Sequence, residues 1–324
     1  MNRAAVASLP TIIALETASV RTGHRRGASV PIDRSYLRSI EQAARAYASA
    51  SGDGGRSTER IETVTQSRLL LQTTEVSVDA VERASLRDAA DRIREVADRL
   101  PEVELLRTAY PGETVVVPEW LRYGRSVEWG LRVYFFRAGD APAPETILDR
   151  NLDAVVEGTR AEFERYQGSL HGYPDCCIEA FQERASAGDR PEARSVAPLA
   201  DCVDEDTLQA GRNSIEEVLP GYFESDRAYA YFAREFFPEP DCRSARERGR
   251  AVFDAMTRHF DTTLVEDFFR LNYASCYAEA TTLSTASVAA SATRPGASDL
   301  ALEHQLCYLP LATTLSMPRY DSEP

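Results

Sequence analysis

Lysine is absent: every one of the 37 basic side chains is an arginine, set against 51 acidic residues for a net charge of −14. An acidic surface of this kind is a poor match for a phosphate backbone, so nucleic-acid binding is not expected of the chain as a whole. Arginine-only usage with abundant Asp, Ala and Val points to a GC-rich genome. Together with the acidity it points to a cytosol of high ionic strength, where surface charges are screened over a few ångströms. The source expected from this composition is a halophilic microbe, an archaeon. Long apolar runs are also missing. No stretch reaches the roughly 18 residues that a bilayer-spanning helix needs, and the mildly apolar Ala4–Val20 is broken by Pro10 and Glu16 with no cleavage site behind it. It does not read as a secretory signal, and a cytoplasmic location is expected. No Gly-rich phosphate loop follows any predicted strand, which removes support for the nucleotide-binding folds. No long internal repeat is present. Finally, none of the six cysteines forms a C-x2-C pair, the commonest zinc spacing. In a cytoplasmic chain of this size they are not a disulfide framework either. Metal ligation, thiol chemistry or simple burial remain.

What is there reads as an α+β protein: a small antiparallel sheet in the N-terminal half and a mostly helical, cysteine-containing C-terminal half. Residues 1–56 form a basic N-terminal arm and a helix, 57–143 a small α+β region, and 144–324 the helical cysteine domain. The first 50 residues carry seven arginines against three acids. Residues 1–32 are expected to be weakly structured, and this arm is the one place where RNA or an acidic partner could be met. Asp33–Ala50 has helical spacing, Ser51–Ser57 is a linker, and Ile61–Val78 is ambiguous between helix and strand. Asp79 is predicted to open a helix with Glu82 completing a capping box, a buried stripe at Leu86, Ala89, Ala90, Ile93, Val96, Ala97 and Leu100, and Pro101 ending it.

Thr114–Val117 is a short β run. The alternation Val127, Trp129, Leu131, Val133, Phe135 against Glu128, Gly130, Arg132, Tyr134 is that of a half-buried strand, with Pro118–Ser126 connecting the two as a hairpin. Ala138–Pro144 is the best boundary. One helix is then predicted from Leu148 to Tyr166, others over Asp226–Phe237, Pro240–Phe260 and Leu264–Tyr277. A Ser/Thr/Ala-rich loop follows Thr281, and the tail carries Leu306-Cys307-Tyr308-Leu309.

The chemistry concentrates in Leu170–Phe181, where two adjacent thiols follow a Gly-Tyr-Pro turn beside a histidine, and in Pro240-Asp241-Cys242 downstream. Proline is well tolerated at the first helical position. Pro174 and Pro240 there would place Cys176, Cys177 and Cys242 in first helical turns, where unpaired N–H groups and the helix dipole favour thiolate. As metal ligands, Cys176, Cys177 and Cys242 would need a fourth donor from Cys202, Cys276 or His171, to hold zinc or an iron–sulfur cluster. As catalysts, Cys176 or Cys177 would be a nucleophile, or the two a vicinal redox pair, with His171 as base. Cysteines are also small, apolar and often buried, which is the reading for Cys276; Cys202 and Cys307 stand open between site and packing. His259 reads as packing beside Met256, and Asp201-Cys202-Val203-Asp204-Glu205-Asp206 as solvated acidic surface. Non-catalytic interaction through the basic arm is the third functional class.

His171-Gly172-Tyr173-Pro174-Asp175-Cys176-Cys177-Ile178-Glu179-Ala180-Phe181 resembles the Gly-Tyr-Pro-x-Cys-Cys-x-x-x-Phe signature of an uncharacterised prokaryotic domain family, common in archaea. In that family a Pro-Cys-x-x-x-Cys-type element opens a later helix. Phe237-Pro238-Glu239-Pro240-Asp241-Cys242 resembles it in part, lacking the first cysteine. The resemblance covers roughly residues 145–260 and matches Cys176, Cys177 and Cys242. It implies no reaction.

Overall fold

The structure is a computed structural model and describes residues 2–6, 9–32, 76–77, 81–123, 126–210 and 214–281. In chain order its elements are α1 (Arg3–Val6), α2 (Thr11–Arg21), β1 (Gly27–Ile32), β2 (Val76–Ser77), α3 (Arg83–Ala97), α4 (Pro101–Ala109), β3 (Thr114–Tyr123), β4 (Ser126–Phe136), α5 (Pro144–Glu157), α6 (Arg160–His171), α7 (Asp175–Ala187), α8 (Pro191–Val196), α9 (Glu205–Ala210), α10 (Ile215–Val218), α11 (Arg243–Met256) and α12 (Thr262–Thr281). Short 3-10 turns lie between α8 and α11. The fold is α+β. Among the described residues no helix is long and apolar enough to cross a membrane. The predicted helix Asp33–Ala50, the linker after it, the segment from Ile61 except Val76–Ser77, and everything beyond Thr281, including His304 and Cys307, lie outside the described residues.

Two compact units divide the described residues: Ser29–Phe163 with the residues up to Leu9, and Pro10–Ala28 with the residues from Glu164 to Thr281. The Ala138–Pro144 turn lies inside the first unit, as the connection from β4 to α5.

The first unit is built on the β3–β4 hairpin. Its register pairs Thr114 with Phe135, Trp120 with Trp129 and Tyr123 with Ser126, so β3 runs six residues past the predicted end at Val117. Pro118 is accommodated because, among the described residues, β3 pairs only with β4, and proline is tolerated on an edge strand. Trp120, Trp129, Val127, Leu131, Val133 and Phe135 are buried on one face. The face predicted to be wet is covered as well. There Glu119, 5% exposed, accepts hydrogen bonds from Arg132 Nε at 2.8 Å and from the Tyr134 hydroxyl. The helix predicted from Asp79 starts instead at Arg83. Glu82 precedes it in extended backbone without a capping hydrogen bond, while its stripe at Leu86, Ala89, Ala90, Ile93 and Ala97 is buried as expected. Pro101 opens a further helix, α4, with Val103, Leu106 and Ala109 inward. The single helix expected from Leu148 to Tyr166 is two, α5 and α6, because Gly158 adopts φ +75° and turns the chain.

A buried amide closes the free edge of β3. In an antiparallel ladder alternate residues turn both N–H and C=O away from the partner strand, and an edge strand leaves them unpaired. At Trp120 both are taken by one side chain: Asn151 Oδ1 accepts from the Trp120 N–H at 2.7 Å and Asn151 Nδ2 donates to the Trp120 carbonyl at 3.1 Å. Asn151 is 1% exposed on α5.

In the second unit α2 is part of the core, with Ile12, Ile13, Leu15 and Val20 buried. This overturns the expectation of a weakly structured arm. Glu16, which interrupts the apolar run, is one half of a buried ion pair with Arg25, Oε2 to Nη1 at 2.5 Å. Of the residues in Pro240–Phe260 that helical spacing turns inward, Ala245, Gly249, Val252 and Met256 are buried and Phe253 and Phe260 half-buried, whereas His259, beyond the helix end, is exposed rather than packed. Gly249 lets α11 lie against the Tyr229 backbone, since a Cβ there would fall 1.6 Å from the Tyr229 carbonyl oxygen. The helix predicted over Asp226–Phe237 is a 3-10 turn at Asp226–Ala230 followed by irregular chain, with Glu235 at φ 60°.

Replacing Asn151 by alanine strands two buried main-chain groups and is expected to cost about 2–6 kcal/mol, at roughly 1–3 per unsatisfied group. Asn151→Asp sets a buried carboxylate against the Trp120 carbonyl at neutral pH and should cost at least as much as Asn151→Ala, less so at low pH, where the protonated carboxyl regains a donor. Urea midpoints for the two variants check this, and equal midpoints with the parent would refute it.

Candidate metal centre

The centre begins with the end of α6. Gly172 takes φ +72°, its N–H bonds to the Ser169 carbonyl at 3.2 Å, and the Tyr173 N–H bonds to the Gly168 carbonyl at 3.0 Å. This is the Schellman arrangement that closes a helix with a left-handed glycine. Close approach excludes a side chain as well, because a Cβ on Gly172 would lie 2.7 Å from the Arg26 backbone nitrogen. The freed Gly172 carbonyl accepts from the Arg248 guanidinium of α11. Tyr173 then lies flat on Phe236, ring centroids 4.3 Å apart, and its hydroxyl donates to the Arg234 carbonyl at 3.3 Å. Pro174 does not open the next helix as predicted. It precedes it in extended backbone, its carbonyl accepting from Cys177 N–H at 2.9 Å and Ile178 N–H at 3.1 Å. Cys176 and Cys177 are therefore the second and third residues of α7.

The second Pro-Asp-Cys triplet is offset from the first. Pro240 and Asp241 form a turn before α11, and Cys242 is the capping residue, its sulfur accepting from the Ala245 N–H at 3.4 Å. The two helix starts bring three sulfurs together. Cys176 Sγ lies 2.9 Å from Cys242 Sγ, and the sulfurs of Cys176, Cys177 and Cys242 all fall within 4.8 Å of one another. Cys176 is exposed, Cys242 half-buried and Cys177 buried at 2%. Cys177 also receives the Glu239 N–H at 3.4 Å. The carboxylates nearby are held in ion pairs: Glu239 by Arg184 at 2.9 Å and Arg194 at 3.2 Å, Asp241 by Arg227 at 2.8 Å. Among the described residues these three cysteines are the one group of this kind with metal-ligand spacing.

The remaining candidates sit elsewhere. His171 is the buried last residue of α6, its ring 5.3 Å from that of Tyr173. Cys276 is buried in α12 and donates to the Phe236 carbonyl at 3.4 Å. Cys202 ends a 3-10 turn, half-exposed. None of the three belongs to the sulfur group. In the acidic run around Cys202, Asp204 accepts from the Thr207 N–H at 3.0 Å at the start of α9, and Glu205 accepts from the Tyr277 hydroxyl at 2.6 Å. Residues that sequence reading missed are the supports: Tyr173, Phe236, Arg248 and Glu239. The stacking of Tyr173 could have been suspected from its place in the turn; the others lie far apart in sequence and give no local signal.

The three thiols differ in acidity. Burial raises Cys242, but the hydrogen bonds from Cys176 and from the Ala245 and Ser244 N–H groups outweigh it, and the net shift is downward. Cys176 is raised, by burial and then by donating to Cys242. Cys177 is raised strongly by burial, which the Glu239 N–H only partly offsets. Comparison of the chain with family models, with curated proteins and with solved structures gives no match.

Because hydrogen bonds to a thiolate favour the charged form, Cys242 in chelator-treated protein should label with iodoacetamide at lower pH than Cys176. Cys176→Ala removes one donor and should move the Cys242 profile to higher pH. Peptide mass spectrometry after labelling at a series of pH values measures this, and an unmoved profile would count against the proposed S–H···S bond.

Proposed function

We propose that this protein binds a single metal ion through Cys176, Cys177 and Cys242, and that the ion is of the zinc type. The observation that carries the reading is the convergence of three sulfurs within 4.8 Å from two separate helix starts. Thiolate-rich sets suit zinc and other soft ions. Zn–S bonds of about 2.3 Å in a tetrahedron place neighbouring sulfurs about 3.8 Å apart. The group, all within 4.8 Å, is compact enough for that spacing, and the 2.9 Å pair would open by roughly 1 Å on loading. An iron–sulfur cluster distributes its cysteines over several irons and calls for wider separation than this group has. Main-chain donors favour negative charge locally on two of the sulfurs, although in the metal-free site only Cys242 is shifted downward overall. The Glu239 and Ala245 N–H groups point at two of the sulfurs, and such hydrogen bonds orient and tune metal ligands. The bound ion would supply Lewis acidity or structural cross-linking; the chain supplies three sulfurs held by α7 and the α11 cap.

Protein purified without oxygen at high salt should carry about one zinc per chain by elemental analysis. The Cys176→Ser/Cys242→Ser double variant should carry none, and Cys276→Ser, outside the group, should retain it. Metal at background level in the parent would sink the reading. Iron with a visible absorption band would replace the zinc assignment with a cluster.

A further inference from the structure

We propose that Cys176 and Cys242 are a reversible dithiol–disulfide couple, oxidised by small-molecule disulfides that reach Cys176 from solvent. The couple uses two of the sulfurs assigned above as ligands, but its formation does not require a metal.

Geometry selects this pair. The two sulfurs lie 2.9 Å apart, so a bond of about 2.05 Å needs an approach of roughly 0.9 Å, within the reach of side-chain torsions. Cys176 is exposed, which an incoming disulfide requires. The alternative partner is poorly placed: Cys177 is 2% exposed and its sulfur is engaged by the Glu239 N–H. A bond between the adjacent Cys176 and Cys177 would also close a strained eight-membered ring inside α7. The other buried thiol, Cys276, donates to the Phe236 carbonyl and is not in the group.

The reaction balances as an ordinary exchange. Cys176 loses its proton to solvent and attacks one sulfur of a disulfide RSSR, forming a Cys176–S–S–R bond and releasing RS⁻, which takes up a proton. Cys242, likewise deprotonated, attacks the Cys176 sulfur and displaces the second RS⁻. Two protein thiols are oxidised by two electrons, and one RSSR is reduced to two RSH. Oxidation takes two of three sulfurs from the metal centre, so loaded protein should release its ion as the bond forms.

Oxidised glutathione added to chelator-treated protein tests the couple, read by non-reducing peptide mapping. The expected product is one cross-linked peptide pair containing Cys176 and Cys242, reversed by dithiothreitol and formed equally in Cys177→Ala. In Cys242→Ala the reaction should stop at a persistent glutathione adduct on Cys176. A cross-link that involves Cys177, or the same persistent adduct on Cys176 in parent and Cys242→Ala, would overturn the proposal. Protein that cross-links in this way yet binds no zinc upholds the couple and removes the metal reading. Protein that binds zinc but leaves Cys176 and Cys242 reduced after chelation and oxidant does the reverse.

Discussion

The stretch from Tyr231 to Cys242 has neither a helix nor a strand to satisfy its backbone, and the sulfur centre depends on how the rest of its unit does so instead. Buried main-chain groups must find partners, and here side chains from several elements provide them. Asn272 donates to the Tyr231 carbonyl at 3.0 Å, Tyr173 to that of Arg234 at 3.3 Å and Cys276 to that of Phe236 at 3.4 Å. Glu16 accepts from the Arg234 N–H at 2.9 Å, and Cys177 from that of Glu239. These bonds fix an irregular segment in one path, and that path delivers Cys242 to the start of α11 opposite Cys176.

The same accounting explains the N-terminal segment. Residues 10–28 contribute Glu16, which holds both Arg25 and the Arg234 main chain, and Arg26, whose backbone sits against Gly172. One piece of chain therefore braces both sides of the centre. A buried ion pair is weak evidence of net stabilisation, but removing one partner leaves a buried charge at a cost of about 3–5 kcal/mol. Glu16 and Arg25 are thus part of the core of their unit.

Periodic elements and local motifs were legible in the sequence, and long-range compensation was not. The α3 and α11 stripes and the inward face of β4 follow from residue spacing alone and are buried, whereas the opposite face of β4, expected to be wet, is covered too. The pairing of Cys176 and Cys177 with Cys242 was also visible, because each lies beside a turn signal at a helix start. Errors fell where a partner distant in sequence overrides local preference. Pro118 reads as a strand breaker until β3 is known to be an edge, and Asn151 is an unremarkable helix residue until it meets Trp120. The aromatic residues Tyr231, Phe232 and Phe236 give residues 226–237 a helical look. They are buried because the segment threads the core as irregular chain, its polar groups taken by the side chains named above.

That asymmetry of support also sorts the three thiols. All are close in space, yet each is held by a different device. Cys177 is buried on α7 and fixed by a main-chain N–H, which suits a permanent ligand and not a nucleophile. Cys242 caps α11, where the Ala245 N–H stabilises negative charge on sulfur. Cys176 is exposed, its sulfur beside that of Cys242. One anchored, one charge-stabilised and one accessible sulfur is the arrangement on which the proposed couple rests: Cys176 is open to an oxidant, Cys242 lies beside it and Cys177 is held out of the exchange.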